Sequence, residues 1–158
     1  MSSTRQQAPR PLTPAQKRLW RSIARLMVVL PRAIDEDLTA RTGLSLTSYI
    51  ALSQLSEAPE RRLRMSELAE RAALSPSRIT RVVSALEADG LVRRDTTSTD
   101  RRVSFATLTD AGLHRLEQAW PAHLDSVRTL AMDHISRDEI ASTSDLVERL
   151  VAAAVAHR

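Results

Sequence analysis

The chain has 158 residues, which is enough for one domain with a well-buried core. Hydrophobic residues make up 42% of it, but aromatic residues only 3% and glycines only three, a composition that favours helices over a sheet-rich fold. The formal charge of +4 and the isoelectric point near 10.8 are compatible with a polyanionic partner. Because there is no cysteine, disulfides, thiol catalysis and cysteine-based zinc sites are excluded.

The basic side chains are almost all arginine, since Lys17 is the only lysine among 23 basic residues. Arginine binds phosphate or guanine bidentately, although arginine usage throughout a chain also follows GC-rich genome composition. The longest aliphatic run, LMVVL at 26–30, is far too short to span a bilayer. We therefore expect no membrane partner and a cytoplasmic location.

The N-terminal third predicts a polar arm followed by a long helix. Residues 1–12 are polar and read as a disordered arm. Thr13 is a good N-cap, and Pro14 suits the first helical position. A helix is expected to run from there to about Gly43. Its apolar residues recur at steps of three and four: Trp20, Ile23, Met27, Leu30, Ile34 and Leu38.

The middle of the chain predicts three shorter helices. One covers about 46–57 and is followed by an extended piece around Leu63. Ser66 is expected to cap a brief helix. After a tight turn, Ser75 and the proline behind it are expected to cap the next helix, which ends near Gly90.

The segments LVRRD at 91–95 and VSFATL at 103–108 are rich in β-forming residues and predict a two-stranded hairpin. Thr109 is then the expected cap of a long helix. A last helix begins at Ser136, where Ser-x-x-Glu to Glu139 is the pattern of a capping box.

The order of helix, short strand, helix, tight turn, helix and hairpin is that of a winged helix-turn-helix, whose second helix enters a major groove. In that helix the apolar residues Ile79, Val82, Val83 and Leu86 share one face. The remaining circumference carries the candidate DNA contacts Ser75, Ser77, Arg78, Thr80 and Arg81. Residues 61–108 hold ten arginines against six carboxylates, so this segment alone accounts for the chain's net charge.

The sequence, with these elements in this order, resembles the MarR family of winged-helix regulators. The resemblance is carried by LRMSELAERAALSPSRITRVVSALEADGLVRRD, by Asp-x-Arg at 100–102 and by LTDAG at 108–112, and it covers the chain from about residue 13 to its end. It implies that Arg102 enters a minor groove and that Asp100 orients the wing. Arg101, which faces the opposite way on a strand, is expected to meet a phosphate or an acid.

The resemblance also implies a symmetric dimer formed by the first and last helices. The apolar surplus of the last helix points the same way, although an intramolecular bundle is the alternative. We therefore expect a mainly α fold with a small β-hairpin wing, in which helical dimerisation regions at 13–45 and 109–158 flank a winged helix-turn-helix at 46–108.

Some members of that family sense oxidants through a cysteine that this chain lacks. Others bind small aromatic acids or phenols in a cleft, and here Trp20, Met27 and Tyr49 are candidates to line such an effector pocket; plain core or surface positions are the alternative. His114, His123, His134 and His157 have no ligand spacing and are expected to be exposed helical residues.

No catalytic motif, phosphate loop, cofactor signature or metal site is predicted, so an enzyme is not expected. The sequence predicts a homodimeric repressor of a pseudo-palindromic operator in double-stranded DNA, released by a small-molecule effector. The alternative is a winged-helix protein-interaction module without sequence-specific DNA binding.

Overall fold

The computed structural model describes residues 10–96 and 104–157. The helices and strands of those residues follow in chain order: α1 (Pro14–Thr42), α2 (Leu46–Ser56), β1 (Arg62–Arg64), α3 (Met65–Arg71), α4 (Pro76–Ala88), β2 (Val92–Thr96), β3 (Ser104–Leu108), α5 (Asp110–Leu130) and α6 (Arg137–Val155). The predicted fold class, mainly α with a small β wing, is confirmed. Most of the predicted arm, residues 1–9, lies outside the described part.

The predicted helix starts are confirmed at four places. Thr13 forms a reciprocal capping box with Gln16 at the start of α1, and Gly43 ends that helix at φ 72°. The side chain of Ser75 accepts a hydrogen bond from the backbone of α4, and that of Thr109 does so at α5. At α6 the predicted box is also present, with Ser136 N donating to Glu139 at 3.1 Å. These local signals acted as expected because each needs only residues three positions apart.

The prediction that Ser66 caps α3 is wrong. The helix begins at Met65, so Ser66 is already helical, and the residue in the N-cap position is Arg64, whose side chain forms no capping hydrogen bond. At the other end Ala73 adopts φ 53°, and Leu74 N donates to Ala69 O at 2.9 Å. The tight turn before α4 is therefore closed by a left-handed residue that is not glycine.

The sheet has three strands, where the sequence predicted a two-stranded hairpin. Its order is β1, β3, β2, and both pairings are antiparallel. Leu63 of β1 pairs with Ala106 of β3, and Arg94 of β2 pairs with the same residue from the other side. The short extended piece around Leu63 was predicted, but its pairing joins residues about forty positions apart, which no local pattern indicates.

One hydrophobic core links the second half of α1 to the helices and strands of residues 46–108 and to α5. Leu38, Leu52, Leu55, Leu68 and Ala106 are all fully buried within it. The core crosses both boundaries of the predicted domain division. The described winged part and the adjoining helices therefore share their buried apolar surface.

The face that α5 turns toward this core differs from its most apolar stripe. Leu116, Ala119 and Ala122 are buried, whereas Trp120 and Leu124 remain exposed. In α6 no residue is buried, and in the first half of α1 Leu19, Trp20, Leu26 and Met27 are exposed as well. Within the described ranges, no helix is long and apolar enough to cross a membrane.

Candidate nucleic-acid interface

Helix α4 presents one apolar and one polar face, as predicted. Ile79, Val83 and Leu86 are buried against the core, and Val82 is half-buried. All five predicted contact residues of this helix are exposed: Ser75, Ser77, Arg78, Thr80 and Arg81. The structure therefore brings them together on one solvent-facing surface around the N-terminal half of α4.

The hydroxyl groups at the start of α4 are partly used by the helix itself. Ser75 accepts from Arg78 N at 3.3 Å and lies 3.2 Å from the Ser77 hydroxyl. Thr80 donates its hydroxyl to Pro76 O at 2.8 Å. Each of these oxygens retains a lone pair, so all three can still accept a hydrogen bond. The free backbone N–H groups and the positive end of the helix dipole favour an anion at the same place.

The arginines around α4 fall into two groups. Four of them are paired with carboxylates: Arg61 with Asp110, Arg71 with Glu67, Arg93 with Asp95, and Arg94 with Glu87. Arg78 and Arg81, in contrast, form no ion pair with any described residue. The guanidinium groups of the exposed α4 face are therefore available to an external anion, while many of their neighbours are held by acids of the chain.

The base of the wing is tied to α4 and α5 by polar contacts. Arg94 N donates to the Glu87 carboxylate at 3.2 Å, which links β2 to the end of α4. The Thr109 hydroxyl contacts Gly90 O at 2.8 Å and Leu91 O at 3.0 Å. Sequence reasoning found Thr109 as a cap but missed Glu87, because a contact seven residues away across a turn leaves no periodic signal.

An aromatic stack supports the outer face of the sheet. The guanidinium of Arg62 lies 4.1 Å from the centre of the Phe105 ring, and that of Arg64 lies 5.8 Å from it. Such stacking stabilises the register of β1 on β3 in addition to the backbone hydrogen bonds. The predicted wing contacts Asp100, Arg101 and Arg102 lie outside the described residues.

The predicted effector residues are not brought together in this chain. Tyr49 lines a cavity of about 380 Å³ between α2 and α5, together with Leu113, Leu116 and Trp120. Trp20 and Met27 lie on the exposed first half of α1, with 56% and 59% of their surface accessible, and neither lines that cavity.

His123 belongs to the same aromatic group as Tyr49, so the expectation that it is an exposed helical residue is wrong. Its ring centre lies 4.2 Å from that of Tyr49 and 6.3 Å from that of Trp120. Burial lowers the pKa of His123 below its ordinary value and raises the pKa of Tyr49. The Nδ1 atom of His123 is buried without a hydrogen-bond partner among the described residues. The neutral forms of both side chains are therefore favoured.

Comparison with known proteins agrees with this geometry. A family model described as "MarR family" matches residues 42–103, which span α2 to the wing. The chain is 34% identical over 121 residues to the HTH-type transcriptional repressor YetL of Bacillus subtilis strain 168, covering 74% of this chain and 72% of that protein. The chain belongs to the MarR family of transcriptional regulators.

Solved structures of MarR family members superpose over nearly the whole chain. Sco3205 of Streptomyces coelicolor, determined in complex with DNA, is 37% identical and gives a TM-score of 0.83, covering 91% of this chain and 90% of that one. AbsC of the same organism is 29% identical with a TM-score of 0.83, covering 95% and 100%. The predicted family resemblance is confirmed, and it assigns the chain to regulators and not to enzymes.

Proposed function

We propose that this regulator is a homodimeric repressor that reads a pseudo-palindromic operator in double-stranded DNA and is released by a small-molecule effector. The observation that carries DNA binding is the pair Arg78 and Arg81. Both are exposed on α4 and have no carboxylate partner among the described residues, whereas four neighbouring arginines do. A protein-interaction module has no need of uncompensated arginines at the end of a helix where anions bind.

In this proposal α4 lies in the major groove. Arg78 or Arg81 contacts guanine, while Ser75, Ser77 and the helix N-terminus hold phosphates, and Thr80 adds a hydroxyl contact. A bidentate contact to guanine contributes about 1–3 kcal/mol of discrimination. At the wing, Arg102 is proposed as the minor-groove contact, Asp100 as the residue that orients it and Arg101 as a phosphate contact. The similarity to Sco3205, solved with DNA, supports this arrangement.

The proposed dimer rests on the absence of burial in α6. This helix has 19 residues, none of them buried. Leu146, Val147, Leu150 and Val151 are each at least 41% exposed. An amphipathic helix gains most of its stability by packing its apolar face, so α6 needs a partner surface. The exposed apolar residues of the first half of α1 offer that surface on a second copy, which corresponds to the proposed dimerisation regions 13–45 and 109–158.

The proposed effector site is the cavity lined by Tyr49 and Trp120. Its walls are aromatic and aliphatic, with Glu57 and Glu117 among the polar residues at its border. Such a lining suits a small aromatic or phenolic molecule better than a highly charged one. Because the cavity lies between α2 of the winged part and α5, a ligand there can change the spacing of the two reading heads if it binds one arrangement more tightly. Trp20 and Met27 stay as candidates only through a second copy.

The deciding experiment is selection of binding sites from random DNA with the wild type and with Arg78→Ala, Arg81→Ala and the control Arg128→Ala. Arg128 is exposed on α5 and lies outside the proposed DNA interface. We expect an inverted repeat with half-sites about 10 bp apart for the wild type and the control. Each α4 variant should lose preference at particular base pairs. Selected pools without an inverted repeat would contradict the dimeric reader. If no DNA sequence is enriched, a protein-interaction module becomes the better explanation. We propose a cytoplasmic location in either case.

A further inference from the structure

The first half of α1 carries positive charge without any acid. Seven basic residues precede Asp35, which is the first carboxylate of the chain. Four of them lie within nine residues of α1 and are exposed: Lys17, Arg18, Arg21 and Arg25. We call these four residues the α1 basic ridge. None of them forms an ion pair with a described residue, whereas Arg32, the next base along the helix, is paired with Glu36 at 2.7 Å.

The ridge lies on the side of α1 opposite to most of its apolar residues. At about 100° per residue, the four cations fall within an arc of about 100°. The apolar residues Leu19, Ile23, Leu26 and Leu30 are centred about 155° away from the middle of that arc, while Val28, one turn beyond the ridge, falls on the same side as the cations. The four cations also border one shared surface concavity with Pro14 and Ser22. A dimer that covers the apolar face of α1 therefore leaves the ridge in solvent.

This arrangement is unfavourable for the isolated helix. Lys17, Arg21 and Arg25 are successive i, i+4 neighbours, and like-charged pairs at this spacing destabilise a helix. The first turn contains no acidic residue, so nothing there complements the positive end of the helix dipole. An ordinary solvated face mixes acids with bases and avoids both effects. A bound polyanion would remove them, and this is the physical argument for a partner.

We propose that the α1 basic ridge binds the phosphate backbone of double-stranded DNA, at a place separate from α4 and without reading its sequence. The ridge offers charge at steps of about 6 Å along the helix axis, and a duplex carries one phosphate about every 3.4 Å per strand. A lipid surface fits less well, because a membrane-bound helix has to insert the apolar face that lies opposite its basic one. In the proposed dimer the second copy covers that apolar face of α1.

The ridge lies far along α1 from the part of this helix that packs in the core. Burial of α1 begins only in its second half, at Ile34 and Leu38. Lys17 lies 17 residues before Ile34, or about 25 Å along the helix. The DNA at the ridge is therefore either a distant part of the same duplex or a second duplex. The proposal rests on the proposed function in taking DNA as the polyanion and in the dimer that covers the apolar face of α1.

The test compares two variants that lose the same charge. K17Q/R21Q/R25Q removes three ridge cations and keeps residues of good helix propensity. R128Q/R137Q/R149Q removes three exposed arginines elsewhere, none of them paired with a described acid. Circular dichroism and sedimentation first establish that both variants keep the helix content and assembly state of the wild type. Affinity is then measured against salt concentration on a long duplex of random sequence and on a short duplex that spans only the selected operator.

On the long duplex, we expect the slope of log affinity against log salt to fall by about 2–3 units in the ridge variant, since each lost phosphate contact contributes about 0.9. The control variant should keep the wild-type slope, and on the short operator both variants should equal the wild type. Retention of a second labelled duplex on immobilised operator complexes, abolished by the ridge variant, would place the contact on a separate duplex. Without such retention, the same fall in slope places it on flanking DNA.

Equal slopes for the two variants on the long duplex would overturn the proposal. So would a ridge-dependent affinity for vesicles of anionic phospholipid with no difference on DNA. Failure of the proposed function looks different, because then the wild type would enrich no operator and the short-duplex arm could not be run. The random duplex would still report on the ridge in that case.

Discussion

The imidazole of His123 packs on the ring of Tyr49, with 4.2 Å between the ring centres. His123 comes from α5 and Tyr49 from α2, so the contact joins a helix of the proposed dimerisation region to a helix of the winged part. The pKa of His123 is lowered by burial, and its Nδ1 has no partner among the described residues. Protonation of the imidazole would therefore place a positive charge in an apolar surrounding, with no hydrogen-bond acceptor for Nδ1 among the described residues.

This contact predicts a pH-dependent stability. A histidine whose pKa is lower in the folded than in the unfolded state makes the unfolded chain the better proton binder as the pH falls below about 6.5. The wild type should therefore lose free energy of unfolding between pH 7.5 and 5.5. His123→Phe keeps a ring against Tyr49 and should lose less over the same interval, as measured by urea denaturation. His114→Phe, at an exposed position of the same helix, should retain the wild-type dependence; equal curves for all three proteins would rule out a titrating His123.

Gly112 is predicted to be intolerant of any side chain. It lies in the first turn of α5, and a Cβ there would overlap the carbonyl oxygen of Leu91 and come within 2.7 Å of the Leu108 side chain. Overpacking of this kind costs about 1–3 kcal/mol. We expect Gly112→Ala to lower the denaturation midpoint accordingly. The neighbouring Ala111 is exposed, and Ala111→Ser should change stability by less than about 0.5 kcal/mol; similar midpoints for the two variants would show that the contact relaxes.

The dimer proposal predicts that acids on the apolar face of α6 separate the subunits. Leu146→Asp with Leu150→Asp places two carboxylates on this face. In the dimer both would be buried without a partner, which is unfavourable. Sedimentation velocity should show a dimer for the wild type and a monomer, or an unfolded chain, for this variant. Ala141→Asp with Ala152→Asp adds the same charge at exposed positions on the opposite side of α6 and should leave the dimer intact. A monomeric wild type would refute the interface.

The wing proposal predicts a change in salt dependence when Arg102 is removed. Arg102→Ala should weaken binding to the selected operator and reduce the slope of log affinity against log salt by about one unit. Fluorescence anisotropy with labelled operator at several salt concentrations measures both quantities. Arg128→Ala serves as the control, since it removes one exposed arginine of α5. An Arg102→Ala protein with the affinity and slope of the wild type would remove the wing arginine from the interface.

Local signals in the sequence were enough for the helices and for the apolar and polar faces of α4. The caps at Thr13, Ser75 and Thr109 act within a few residues, and the 3.6-residue period placed Ile79 and Val83 inward. The one cap that failed, at Ser66, lies beside β1, whose pairing with β3 is a long-range contact. The family motifs predicted the wing because they occur in this chain in the order and spacing of the family.

What the sequence determined by itself was the set of helices, the exposed polar face of α4 and the basic surplus around it, since each follows from spacing along one segment. The tertiary structure decided which arginines have carboxylate partners, that Tyr49 meets His123 and Trp120, and that neither Trp20 nor Met27 joins them. These outcomes depend on which helices pack together, and residues such as Arg61 and Asp110 are far apart in the chain. The free charge of Arg78 and Arg81 is visible only once the other pairings are known.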